Sequence, residues 1–256
     1  MKNKLLLVHF GRSGSTVLVN MLGKHTRINW AAEIYTTEEE DKKNFIDGID
    51  EFVAFPSAIE KPGNMVFGFE LKYLNYLNHI RNVSPKTKEG FCELVDRFSK
   101  EGYTPFLLVR ENVLRRMVSV RMGMERGIWH ARSDVHPASH TTVQRIELTV
   151  EYFRDWDTGC AGALSETIEC AVGVQNYLIQ FFKQRGWNVI SYEKHIQDDP
   201  RIAYRKVLDW ARIDYEERDA DLQRTTGSRG LDTVLANYQE VAKHLKGTQG
   251  EWMLQD

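Results

Sequence analysis

The feature that most constrains this chain is a strand-length apolar run, Leu5-Leu6-Leu7-Val8-His9-Phe10, that ends directly in Gly11-Arg12-Ser13-Gly14-Ser15-Thr16. Behind it, Val17-Leu18-Val19-Asn20-Met21-Leu22-Gly23 is apolar and long enough for about two helical turns. Strand, tight glycine turn and helix start, in that order, make an anion site. The glycines let backbone N–H groups point inward, and the first helical turn offers unpaired donors and the positive end of its dipole. Arg12 adds a full charge; Ser13, Ser15 and Thr16 add hydroxyls. The pattern predicts a phosphate or sulfate cradle, although the same six residues also suit a plain β–α turn with solvated polar side chains. A Walker loop is excluded, because that loop needs a lysine after its second glycine. Here Ser15 follows Gly14, and no lysine appears until Lys24. The dinucleotide fingerprint G-x-G-x-x-G is absent as well.

A chain of 256 residues suits one α/β domain with a substantial core. Its 42% apolar and 27% charged residues are those of an ordinary soluble globular protein. A net charge of −2 speaks against a general nucleic-acid or membrane-surface binder and leaves room for local basic patches. Cys92, Cys160 and Cys170 are an odd count without C-x-x-C spacing, so neither a disulfide framework nor a zinc site is expected. Met1-Lys2-Asn3-Lys4 and the six apolar residues after it are too short, and too soon broken by glycine, for a signal peptide. No window approaches the roughly 20 apolar residues of a membrane span. The expectation is a soluble, cytoplasmic chain forming one domain over residues 1–256.

Further along, apolar runs and turn signals alternate. Strands are predicted at Met65–Leu71, after Lys61-Pro62-Gly63-Asn64, at Pro105–Val109 and at Asn188–Tyr192. Lys72 sits just past the first of these, where strand ends of α/β sheets face the ligand, and more plainly reads as an exposed strand-end lysine. Helical spacing appears over Phe91–Lys100, from Asn112 through Leu114, Val118 and Met122, after the Gly159–Gly162 break, over Arg201–Arg212, and from Asp232 to Leu245. Thr36-Thr37-Glu38-Glu39-Glu40 resembles a helix start, with hydroxyl caps and acids that suit the dipole. Gly127–Thr142 has no apolar period and reads as a long functional loop, and its histidines lack metal-ligand spacing. Alternating strands and helices predict an α/β fold, a central parallel sheet flanked by helices.

Arg110-Glu111-Asn112-Val113-Leu114-Arg115-Arg116-Met117-Val118-Ser119 is the second informative stretch. Arg115 and Arg116 read as a solvated helix face. Arg110, at a strand end, projects a guanidinium where ligands of α/β sheets sit, ready for bidentate phosphate contact. Ser119 follows about two turns along the next helix. Two anion sites on neighbouring β–α units suit a nucleotide phosphorylated at both 3′ and 5′.

Taken together, these stretches resemble the sulfotransferases that use 3′-phosphoadenosine 5′-phosphosulfate, in particular their bacterial carbohydrate and trehalose-type branch. Gly11-Arg12-Ser13-Gly14-Ser15-Thr16 resembles the 5′-phosphosulfate loop of that family, and Arg110 to Ser119 its 3′-phosphate motif. Tyr192-Glu193 is similar to the strand end whose tyrosine lies by the adenine. Gly127-Ile128-Trp129-His130 is similar to a segment of the bacterial branch, and Thr226-Gly227-Ser228-Arg229-Gly230 stands where the family has a further 3′-phosphate loop. The chain departs from many cytosolic relatives in carrying Arg12 for lysine and Val17 for tryptophan. Arg110 to Ser119 is one residue longer than the commonest spacing, and the Arg-Lys-Gly of the last loop is not reproduced.

The resemblance implies a P-loop-like sulfotransferase domain that moves a sulfuryl group to an acceptor hydroxyl, without a metal. It places Gly11, Arg12, Ser13, Gly14, Ser15, Thr16, Arg110, Ser119, Tyr192 and Arg229 at the cofactor, and Glu33, Trp129 and His130 at the acceptor. Arg12 is the group expected to stabilise charge on the departing 5′-phosphate. Glu33, set among Trp30, Ile34 and Tyr35, is the candidate base, with His130 and His136 as rivals and a structural carboxylate as the plain alternative. Trp30, Tyr35 and Trp129 suit stacking on a sugar or flat ring, or equally the core. A small-molecule kinase using ATP, and a non-catalytic nucleotide or polyanion binder on the same scaffold, are the competing classes. The acceptor and the oligomeric state are not written in the sequence.

Overall fold

A computed structural model describes residues 3–31, 34–35, 46–47, 49–59, 66–74, 80–81, 86–126, 145–220 and 230–255. The chain runs β1 (Asn3–His9), α1 (Ser15–Gly23), β2 (Ile28–Trp30), β3 (Ile46–Asp47), α2 (Ile49–Ile59), β4 (Val66–Lys72), β5 (Ile80–Arg81), α3 (Lys88–Lys100) and β6 (Tyr103–Val109). It continues through α4 (Val113–Arg126), β7 (Phe153–Arg154), β8 (Ala161–Gly162), α5 (Leu164–Gln184), β9 (Asn188–Ser191), α6 (Tyr192–His195), α7 (Arg201–Ala211), α8 (Leu231–Val234), α9 (Tyr238–Leu245) and a 3-10 turn at Glu251–Leu254. Two compact units emerge, one from Met1–Val109 with Gln175–Ala220, the other from Arg110–Val174 with Asp221–Asp256.

The first unit holds a parallel sheet of five strands in the order β2-β4-β1-β6-β9. β1 lies in the middle because its run from Leu5 to His9 is buried on both faces, which only an interior strand of a covered sheet allows. On one face Leu5, Leu7, Phe106 and Leu108 pack against Leu18, Met21 and Leu22 of α1 and against Tyr204, Val207 and Leu208 of α7. On the other, Phe69 meets Tyr103 at 5.3 Å and Phe98 of α3 at 5.5 Å between ring centroids. The alternation of strand and helix therefore produces the α/β architecture it predicts.

Local signals set the ends of the elements. Thr87 caps α3 by accepting from the Gly90 N–H at 3.1 Å, so the helix starts a turn before Phe91. Pro200 is the N-cap of α7, which Arg212 ends in a left-handed conformation at φ 54°. Pro105 sits inside β6 but ahead of Phe106, where pairing with β9 begins, so its missing donor costs that neighbour nothing. Gly68 of β4 lies under the Trp30 ring, where an added Cβ would come within 2.3 Å of Cζ3. Trp30 is thereby spent on packing. Tyr35 is also core, stacked on Phe52 at 3.8 Å and donating its hydroxyl to the Phe52 carbonyl.

In the second unit, α4 contributes Val113, Leu114, Met117 and Val118 to a core shared with Leu164 and Ile168 of α5, and with Leu231, Val241 and Leu245. Two expectations fail here. The helix predicted from Asp232 to Leu245 is broken into α8 and α9, because Leu235 leaves the helix to bridge Ile146. Backbone bonds from Ile146 to the Val234 carbonyl and from Ala236 to the Ile146 carbonyl hold the break, and Asn237 reinforces it by bonding both the N–H and the carbonyl of Leu148. Cys160 and Cys170, whose odd count with Cys92 suggested no disulfide framework, form a disulfide with their Cα atoms 6.0 Å apart. The turn through left-handed Gly159 and Gly162 folds Cys160 back onto α5, which a ten-residue spacing alone does not disclose.

Candidate functional site

Gly11–Thr16 leaves the carboxyl end of the middle strand and enters α1 at Ser15. Arg12 at φ 59° and Gly14 at φ 88° are both left-handed, with Ser13 between them at negative φ. Alternating handedness of this kind gathers successive N–H groups into a concavity that suits anions. Gly14 adopts it freely. Arg12 carries a Cβ there, a strain of about 1–3 kcal/mol that proteins retain mainly at functional turns. Gly14 is also the N-cap of α1 and brings no side chain to bond the first-turn N–H groups.

Within the turn, Ser13 is fully buried and its hydroxyl has no hydrogen-bond partner within the protein. Buried polar atoms are nearly always satisfied, so this hydroxyl is a donor left over at the head of α1. Ser15 is buried beside it, and Arg12 and Thr16 are half-buried. Tyr192, the first residue after β9, lays its ring on Gly14, where an added Cβ would stand 2.6 Å from Cδ2. Position 14 thus needs glycine for its backbone angle and for its neighbour.

Beneath the loop lies a pair the sequence reading passed over. His9, fully buried at the end of β1, donates Nδ1–H to the Phe10 carbonyl at 2.9 Å. Its Nε2 lies 3.3 Å from Oε2 of Glu70, a buried carboxylate on β4. The available signal was one charged residue, Glu70, inside an otherwise unbroken apolar strand. Lys72, in register with His9 on the neighbouring strand, is half-buried rather than exposed.

In the second unit, Arg110 follows directly on β6 and is half-buried. Asn112 caps α4 as predicted, accepting from the Arg115 N–H at 2.9 Å while its amide donates to the Met253 carbonyl at 2.9 Å. Ser119 is buried on the second turn of that helix. Arg116 corrects the expectation of a solvated face. It is among the largest fully buried side chains, with Nη2 at 2.6 Å from Asp155 and Nη1 at 2.5 Å from Asp157. Thr158 donates to the same Asp155 oxygen at 2.6 Å. Burial by itself would lower the guanidinium pKa, but the charges and hydrogen bonds of Asp155 and Asp157 outweigh it and hold it above the ordinary arginine value. Arg116 is spoken for, and Arg115 keeps the half-buried flank.

Glu33, Trp129, His130, His136 and Arg229 lie outside the described residues. Among the described residues no cluster of three or more metal-ligating side chains is found. Burial pushes the Cys92 thiol up to about 12, so it stays protonated at neutral pH and is no nucleophile.

Two outcomes follow from this geometry. Gly14→Ala is expected to cost about 1–3 kcal/mol in urea unfolding, because the new methyl meets the Tyr192 ring in a disfavoured backbone region. Arg116→Met leaves two buried carboxylates without their cation and is expected to cost about 3–5 kcal/mol, whereas Arg115→Met costs under about 1 kcal/mol. Compared with known proteins, the chain matches no family model and no curated sequence.

Proposed function

We propose that this chain is a sulfotransferase that moves a sulfuryl group from 3′-phosphoadenosine 5′-phosphosulfate to an acceptor hydroxyl, of a carbohydrate or small molecule, by in-line displacement. The observation that carries the reading is the Gly11–Thr16 turn: two left-handed residues, a buried hydroxyl without a partner, and a charged arginine at the head of a helix. The residues fit a 5′-phosphate or sulfate in their donors, their charge and the absence of a carboxylate among them. The cofactor, when bound, supplies a sulfuryl group on a good leaving phosphate.

The chain's own residues then have distinct tasks. Loop N–H groups with Ser15 and Thr16 hold the 5′-phosphate. Arg12 neutralises charge that grows on the bridging oxygen, so its contact strengthens toward the transition state. Arg110 and Ser119 take the 3′-phosphate, with Arg229 added by the resemblance alone. Tyr192 offers its ring to the adenine. Glu33 takes the acceptor proton, with Trp129 and His130 beside the acceptor. The kinase alternative lacks the Walker lysine and has no observation in its favour; a pure binder differs only in failing to transfer sulfate. No described helix is long and apolar enough to cross a membrane. A cytoplasmic address belongs to the same proposal, and the Cys160–Cys170 disulfide speaks against it, since reducing compartments keep thiols reduced.

In calorimetry, adenosine 3′,5′-bisphosphate is expected to bind at micromolar levels and Mg-ATP far more weakly. Arg12→Ala and Arg110→Ala should each weaken the bisphosphate at least about tenfold, the scale of one lost charge-assisted hydrogen bond. Unchanged affinity in both variants overturns the proposal. Transfer of labelled sulfate to sugar acceptors separates enzyme from binder. Glu33→Gln should then lose about a hundredfold or more in turnover with cofactor affinity retained, and a near wild-type rate removes Glu33 as the base.

A further inference from the structure

The second unit carries a cavity of about 160 Å³ between α4 and the segment around β7, lined by none of the residues assigned above to the nucleotide. Its floor is apolar: Met117 and Val120 of α4 with Phe153. Its walls are unusual. Tyr152 is 62% exposed, Trp156 48% and Met124 40%, so three of the eight large hydrophobic residues exposed among the described residues converge on one small cavity. A patch of that kind, rimmed by polar groups, marks a binding surface.

The rim decides what fits. Arg121 is paired with Glu125 at 2.7 Å, and Asp155 is committed to Arg116 and Thr158. That leaves Arg154 against Glu147, one charge of each sign, and hence no net field selecting a charged ligand. Arg154 also lies over the Trp156 ring at 4.9 Å, which steadies the indole at the cavity mouth. The cavity is therefore lined by the Tyr152 ring and by the Trp156 indole, one face of which Arg154 covers, together with a guanidinium, a carboxylate, the Thr149 hydroxyl and the Tyr152 phenol. Aromatic side chains with a polar tip suit ligands that are apolar on one face and hydroxyl-bearing at the edge.

We propose that this cavity is a saccharide-binding site for a neutral pyranose unit, stacked on Tyr152 and Trp156 and hydrogen-bonded by Glu147, Thr149 and Arg154. It rests on side chains of the second unit alone and stands whether or not the sulfuryl-transfer reading does.

The test uses the full chain free of nucleotide, titrated calorimetrically with maltose, cellobiose and trehalose, and with benzoate as a flat anion. At least one disaccharide should bind with a Kd of about 1 mM or tighter. Trp156→Ala and Tyr152→Ala should each weaken it about tenfold or more, with Trp156→Phe retaining most of the affinity and the thermal midpoints nearly unchanged. Should Trp156→Ala fail to fold, Tyr152→Ala, at the most exposed ring, carries the same test. The proposal is overturned if none of the three sugars binds, if both alanine variants bind as the wild type does, or if benzoate binds in their place. Because no nucleotide is present, failure here is separate from failure of the bisphosphate titration.

Discussion

Burial of β1 on both faces is the constraint from which the first unit is built. A strand whose side chains from Leu5 to His9 all avoid water has to lie between partners, and it does, paired in parallel with β4 and β6. Parallel neighbours need crossovers, and the crossovers supply the helices that cover both faces. The apolar run turns polar only at its two ends, at Asn3 and Lys4 before it and at Gly11–Thr16 after it. The chemistry of Gly11–Thr16 is concentrated there because the strand behind it admits none, except for His9 and its buried partner Glu70.

That buried pair and the turn above it are linked by chain geometry. His9 is tied to the Phe10 carbonyl and to β4, so the residue that starts the turn is held from two directions. The turn can then sustain a left-handed arginine, which a loosely anchored loop would relax. Tyr192 closes against Gly14 from the strand end of β9, so the loop is bounded by the sheet below and a ring beside it. Rigid support of this kind is what an anion site requires if its donors are to be aimed before the ligand arrives.

The second unit solves a different problem. Arg116 sits in an apolar helix face, and a buried guanidinium is tolerable only with its charge and its donors met. Asp155 and Asp157 do this from a short segment just ahead of the disulfide-closed turn at Cys160. One cation thereby ties α4 to the β7–β8 hairpin. The same hairpin segment presents Tyr152 and Trp156 outward, so a tightly held inner face backs an exposed aromatic one.

Much of this was legible in the residues themselves. Runs such as Leu5–Phe10 and Pro105–Val109, the Asn112 cap, and the Pro200 helix start act within a few positions of one another, and their outcomes follow from local sterics and hydrogen bonding. The Gly11–Thr16 turn was legible for the same reason, since glycine at Gly14 announces a left-handed residue. What only the tertiary structure decided involves partners far apart in sequence. Arg116 looks like any helix-surface arginine until Asp155 and Asp157 arrive about forty positions later to bury it. Leu235 leaves its helix because Ile146 lies alongside, and Cys160 reaches Cys170 because two left-handed glycines turn the chain. Local propensity carries no record of such meetings; they are settled by burial and charge pairing once the chain has closed on itself.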